Sequence, residues 1–234
     1  MTSCTYNSDG RLIAAGLRDG TIQIWDVRGK FGQAASTGVV PVPKQQAMPS
    51  PNWNYASKSN QIVRDAHEVE SEITCLSIGL NSTSMLSRGA DGTLKLWDLR
   101  KFKAPIAALE GIPTGFDNTQ CCFSPANDLV LTGVGASKEG SDGYLGIYDA
   151  NDLALVKRLG APGNVVAVTW NPKINQIAIG CGNRKEGTAR ILYDPSLSQG
   201  GALRAIGRKP RKETMSDYTV RYLIKSCTIT FHFL

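Results

Sequence analysis

Residues 85–100 read MLSRGADGTLKLWDLR, and this stretch decides the fold. Asp91-Gly92 supplies the positive φ that a tight hairpin turn demands, and a short apolar run after it closes on Trp97-Asp98. The same design stands at residues 13–28, IAAGLRDGTIQIWDVR, where Ile22 and Ile24 follow the two-residue period of a half-buried strand.

Working outward, four segments end in an aromatic residue followed by aspartate: TIQIWD, TLKLWD, YLGIYD and ARILYD, closing at Asp26, Asp98, Asp149 and Asp194. Their spacings are 72, 51 and 45. A large apolar residue precedes a turn upstream of each, at Tyr6, Ile78, Phe123 and Trp170, with spacings of 72, 45 and 47. A period near 45 with one outsized gap is a repeat architecture in which each unit stacks on its neighbours.

Each unit reads as three short antiparallel strands joined by hairpins, and no helical period competes. Asp19-Gly20, Asp91-Gly92 and Asp142-Gly143 mark the second hairpin, with Glu186-Gly187 in that place in the last unit. The third and fourth units are longer than the first two, and their extra residues fall in GVGASKEGSDG and GCGNRKEG, read as lengthened hairpin loops. Each contains a Gly-x-Gly, at Gly133/Gly135 and Gly180/Gly182, but neither continues as a dinucleotide fingerprint nor opens a helix. The 72-residue gap is filled by residues 28–60, which carry Pro41, Pro43, Pro49 and Pro51 among Gln, Ser, Asn and Ala and read as an inserted surface loop. Trp53 and Tyr55 within it either fold back on the domain or await a partner.

The whole chain has 234 residues, 41% hydrophobic and 20% charged, which is too apolar for disorder and long enough for a real core. No run approaches a membrane span, and MTSCTYNSDG is no secretory leader, so cytosol or nucleus is the expected compartment. Cys4, Cys75, Cys121, Cys122, Cys181 and Cys227 lack zinc-ligand spacing and read as reduced thiols. Asn81-Ser82-Thr83 fits a glycosylation sequon but reads as a polar turn. The net charge of +6 is concentrated in Arg204, Arg208, Lys209, Arg211 and Lys212, either a nuclear import signal or phosphate contact, or simply a solvated tail.

These units resemble the WD-repeat family over residues 2–207, which implies an all-β propeller with about four blades visible. The second unit carries what resembles the family's complete structural tetrad: His67, Ser87, Asp91 and Trp97. Such a set saturates its own donors and acceptors inside a blade, so His67 is read as structural. The first unit has Ala15 in place of the serine, and the third and fourth have Tyr148 and Tyr193 in place of Trp, so those blades are expected to rely on packing alone. His232 is the only other histidine, which leaves no basis for a hydrolytic triad or a metal site, and no enzyme, cofactor or metal is expected.

The Pro-rich insert, GIPTGFDNTQCCFSP and the NPKINQIAIGCGNRKEGTARILYDPSLSQGGAL segment resemble WD-repeat proteins of the gastrulation-defective type. That resemblance implies further blades and a basic tail, so a truncated chain is expected, with residues 1–207 as blades and 208–234 as a basic segment and atypical tail. The tail's apolar run TVRYLIKSCTITFHFL is strand-like and suited to covering an exposed edge.

Two stretches, ending at Arg28 and Arg100, also resemble the WDxR box of substrate receptors for cullin-4 ubiquitin ligases, the second departing at Arg88 where the box has a small residue. The resemblance implies that Asp26, Arg28, Asp98 and Arg100 form a partner-binding set facing the ligase adaptor; otherwise these are ordinary exposed arginines at strand ends. The resemblance to the gastrulation-defective type implies a nuclear, non-enzymatic scaffold acting in chromatin and histone ubiquitination at DNA double-strand breaks, with a spliceosome- or RNA-associated scaffold as the alternative. Protein partners are expected, with weak nucleic-acid contact through the basic tail and neither a membrane nor a small-molecule substrate.

Overall fold

A computed structural model describes residues 1–27, 59–136, 142–183, 185–206 and 227–233; for residues 206 and 227–233 only the backbone is described. The described chain forms four sheets of four strands each. The first blade comprises β1 (Ser3–Tyr6), β2 (Leu12–Gly16), β3 (Ile22–Asp26) and β4 (Gln61–Val63). The second comprises β5 (Ile73–Ile78), β6 (Ser84–Gly89), β7 (Leu94–Asp98) and β8 (Ala107–Leu109). The third comprises β9 (Cys121–Phe123), β10 (Leu129–Val134), β11 (Tyr144–Asp149) and β12 (Leu155–Gly160). The fourth comprises β13 (Asn164–Asn171), β14 (Gln176–Gly182), β15 (Gly187–Tyr193) and β16 (Cys227–Phe233). Among the described residues, a short helix, α1 (Gly201–Ile206), follows β15, and no helical period in the sequence marks it.

The blades therefore have one strand more than the three expected. β4, β8 and β12 are short or exposed along their length, so they lack the alternation that betrays a half-buried strand. The expected turns are built by polar side chains that follow the pre-turn apolar residue. Asn7 Oδ1 accepts from the Arg11 and Leu12 amides at 2.8 and 2.9 Å, and Ser124 Oγ accepts from the Leu129 amide at 3.0 Å. Asn81 Oδ1 likewise accepts from the Thr83 and Ser84 amides, making the sequon a turn.

At the second hairpin Gly20 and Gly92 adopt φ of 79° and 75°. Gly143 and Gly187 do not share that conformation. Gly143 is instead a place of close approach, where a Cβ would lie 2.5 Å from the Val134 carbonyl oxygen. The fourth blade also departs from the expected long loop: its register runs to Gly182 opposite Gly187, so the extra residues lengthen β14 and β15 themselves. In the third blade the connection from β10 to β11 is long, and residues 137–141 in it lie outside the described residues. The Gly-x-Gly pairs serve packing; a Cβ on Gly133 would meet the backbone of Val165.

Three apolar clusters join the blades in series. Ala14, Ile22, Ile73 and Trp97 pack the first against the second; Leu86, Leu94, Cys121 and Val130 the second against the third; Leu131, Leu145, Val165 and Ile179 the third against the fourth. This is the nearest-neighbour packing of a propeller arc. The inserted segment 28–60 departs after β3 and returns at Asn60, whose side chain accepts from the Asp26 amide at 2.7 Å. Trp53 and Tyr55 lie outside the described residues. At the far end, β16 pairs with β15 in parallel and covers the outer edge of the fourth blade, whereas the fourth strand of each other blade is antiparallel.

Candidate partner-binding site

A buried, hydrogen-bonded series of polar side chains lies within the second blade. His67 sits in the loop before β5, Ser87 on β6, Asp91 in the β6–β7 turn and Trp97 on β7. His67 Nδ1 lies 3.0 Å from Asp91 Oδ2, and its Nε2 lies 2.7 Å from Ser87 Oγ. Trp97 Nε1 donates to the same hydroxyl at 2.9 Å. With Nδ1–H facing the carboxylate, Nε2 is the acceptor, so Ser87 donates to the imidazole while accepting from the indole. Every polar atom in the series is satisfied, and the side chains of His67 and Asp91 are wholly shielded from solvent.

Asp91 is held well below the usual carboxylate range. Burial pushes the other way, but hydrogen bonds from His67, Thr93 and the Glu68 amide outweigh it. Thr93 belongs to this group: its hydroxyl donates to Asp91 Oδ1 at 2.8 Å and lies 2.9 Å from His67 Nδ1. The sequence does signal it, since an Asp-Gly-Thr triplet recurs at Asp19-Gly20-Thr21 and Asp91-Gly92-Thr93. Gly89 is the other residue the pattern left unremarked; a Cβ there would stand 2.3 Å from both Asp91 Oδ1 and His67 Nδ1.

The loop that carries His67 also ties the second blade to the first. The His67 amide donates to the Gly20 carbonyl of the first blade at 3.2 Å, and Lys95 Nζ donates to the Ala66 carbonyl at 2.8 Å. Beyond the tetrad strand, Trp97 packs on Phe102 with ring centroids 5.2 Å apart.

That anchored strand ends at Asp98, and two residues later Arg100 turns back onto it. Arg100 Nε and Nη2 donate to Asp98 Oδ1 and Oδ2 at 3.0 and 2.9 Å, and the Arg100 amide donates to Oδ1 at 2.9 Å. The Arg100 side chain is 73% exposed. The guanidinium holds the Asp98 carboxyl below its usual range, and the carboxylate raises Arg100 in return. Two of the arginine's five donors are thus engaged, and the rest of the fork faces outward.

Asp26 ends β3 at the matching place in the first blade; Arg28 lies outside the described residues. In the basic cluster, Arg204 is exposed on α1, and Arg208, Lys209, Arg211 and Lys212 lie outside the described residues. The structure therefore places Asp98 and Arg100 together, and leaves them on a different blade from Asp26.

Arg88, which breaks the WDxR pattern, is completely buried. It donates through Nη1 to the Thr93 carbonyl at 3.0 Å and through Nη2 to the Ile112 carbonyl at 2.5 Å, so it ties the second blade's hairpin to the segment entering the third. Burial lowers its pKa to about 10.

The third blade is not held by packing alone, contrary to expectation. Thr132, in register with the position of Ser87, donates to the Gln120 carbonyl at 3.1 Å, and Gln120 Oε1 accepts from the Val168 amide of the fourth blade at 3.2 Å. Among the described residues, no group of three or more His, Cys, Asp or Glu side chains is placed to hold a metal ion.

Comparison with known proteins follows the same lines. Residues 1–26 and 59–98 match the family model of the WD domain, G-beta repeat. WD repeat-containing protein 70 of Xenopus tropicalis is 35% identical over 95% of this chain and 32% of its own length. The human protein of that name is 33% identical over 95% of this chain and 30% of its own, and the Drosophila melanogaster gastrulation defective protein 1 homolog 34% over 90% and 28%. The chain thus spans about a third of the length of these relatives. A chain in the crystal structure of the mitotic checkpoint complex shares the fold, with a TM-score of 0.52 at 18% identity over 76% of this chain and 43% of that one. With its repeats, its four-stranded blades and these homologues, the chain belongs to the WD-repeat β-propeller family, alongside the relatives named WD repeat-containing protein 70 and gastrulation defective protein 1 homolog.

Proposed function

We propose that this chain is part of a nuclear WD-repeat scaffold that serves as a substrate-receptor-type subunit of a cullin-4 ubiquitin ligase, acting in chromatin and histone ubiquitination at DNA double-strand breaks. WD-repeat domains mediate protein–protein interactions and generally act without catalysis, which makes a scaffold the coarse reading. The observation that carries the finer one is Arg100: an exposed guanidinium pre-set by Asp98 at the end of an anchored strand, within a stretch resembling the WDxR box. Pre-setting lowers the entropy cost of docking, and a guanidinium suits carboxylates and carbonyls at an interface.

The test is affinity capture of the tagged chain from nuclear extract, with and without ribonuclease. Recovery of the cullin-4 adaptor that survives ribonuclease supports the ligase reading. Recovery of splicing proteins that vanish with ribonuclease, and no adaptor, replaces it with the RNA-associated scaffold, for which the basic segment beginning at Arg204 is the contact to examine.

A further inference from the structure

The second and third blades meet along β5 and β9, and an unusual trio of side chains gathers there. Cys75 stands opposite Arg88 in the β5–β6 register, so their side chains are neighbours on one face of the sheet. That face packs on the third blade, where Cys121 is buried in the same apolar cluster that Cys75 borders. The Cys75 Sγ lies 3.6 Å from the Cys121 carbonyl oxygen, joining residues 46 apart in sequence. Arg88 is fully buried, and its Nε has no hydrogen-bond partner.

A cation beside a thiol favours the thiolate, the form that reacts. Contact with Cys121, opposed by burial and joined by the Arg88 charge, draws Cys75 below the ordinary thiol range. The same contact, with burial, pushes Cys121 up. Exposure divides the roles of the pair: half-buried Cys75 attacks, and buried Cys121 resolves.

We infer that Cys75 and Cys121 are an oxidant-modified thiol pair that closes into a disulfide between the second and third blades, with hydrogen peroxide as the oxidant. In the first step the Cys75 thiolate attacks a peroxide oxygen; the S–O bond forms, the O–O bond breaks, and the departing hydroxide takes up a proton as water. In the second, the Cys121 sulfur attacks the Cys75 sulfenic sulfur and gives up its proton; the S–S bond forms, the S–O bond breaks, and the hydroxyl leaves as water. Two thiols lose two electrons, and one peroxide becomes two waters. Cys122 points to the opposite side of β9, against the third–fourth blade cluster, and burial pushes its thiol up to about 12.

The chain, oxidised with equimolar hydrogen peroxide at neutral pH, is quenched with N-ethylmaleimide, digested without reductant and sequenced by tandem mass spectrometry. The expected product is a Cys75–Cys121 linked peptide pair, two hydrogens lighter than its reduced parts, with fragment ions that separate Cys121 from Cys122. Its yield falls to background in Cys75→Ser and in chain oxidised while denatured. Recovery of Cys75 as the alkylated thiol at peroxide doses that oxidise exposed Cys4 overturns the inference. So does linkage of Cys75 to Cys4, Cys122 and Cys181 in the same proportions whether the chain is folded or denatured.

Discussion

The Ser87 hydroxyl receives the Trp97 indole N–H at 2.9 Å while its own proton faces His67 Nε2 at 2.7 Å. One oxygen therefore joins β6 to β7 and both to the loop before β5. Ser87→Ala would leave a buried indole donor and a buried imidazole acceptor without partners. Each such loss costs about 1–3 kcal/mol. Chemical denaturation should show a loss of about 2–4 kcal/mol on the same scale, with near-UV circular dichroism reporting the change at Trp97.

Gly89→Ala tests the same group by crowding. The added methyl meets Asp91 and His67 at distances no real Cβ adopts, so the His67–Asp91 bond must break or shift. A loss of about 1–3 kcal/mol is expected from overpacking. It should be strongly sub-additive with Ser87→Ala in a double-mutant cycle, because both act on one network. Simple additivity would mean that Gly89 and Ser87 are energetically separate.

Asp91 sets the pH dependence. Its folded pKa is depressed, so the stability its ionised form contributes is fully present above the unfolded value near 4 and is lost as pH falls through the folded one. The gap in unfolding free energy between wild type and Asp91→Asn should therefore be widest above about pH 5 and narrow steadily below about pH 4. A gap that grows on acidification would contradict the assignment.

Much of this was legible because the blade writes itself locally. Asp91-Gly92, the alternation through Leu94 and Leu96, and the Trp97-Asp98 close lie within eight residues, and His67 and Ser87 fall at the offsets such a blade requires. The fourth strands were not legible: β4 returns after a long insert, and β12 exposes most of its length, so neither carries a two-residue apolar period. The run that forms β16 reads as strand-like in the sequence, but its parallel pairing with β15 depends on a contact across 40 residues that no local pattern encodes. Arg88 misled in a different way. As a departure from a small residue it weakens a motif, yet folded it is a buried clamp onto Ile112 and Thr93.

Arg88→Ala should accordingly destabilise the junction of the second and third blades rather than the tetrad. It opens a cavity and strands carbonyls that the guanidinium satisfies, and several kcal/mol is the expected order of loss. Hydrogen exchange should quicken at the Ile112 amide and along β9 before it does at Trp97. Protection lost evenly over all blades would contradict a local role.

The docking claim is tested most directly by measuring the affinity of purified cullin-4 adaptor for the chain and for Arg100→Ala and Arg100→Lys, with circular dichroism confirming equal strand content. The account predicts binding by the wild type that falls about tenfold or more, roughly 1.4 kcal/mol, in Arg100→Ala. It predicts little rescue by lysine, which cannot reproduce the fork held by Asp98. Equal affinity in all three folded chains, or no binding by the wild type, would contradict it.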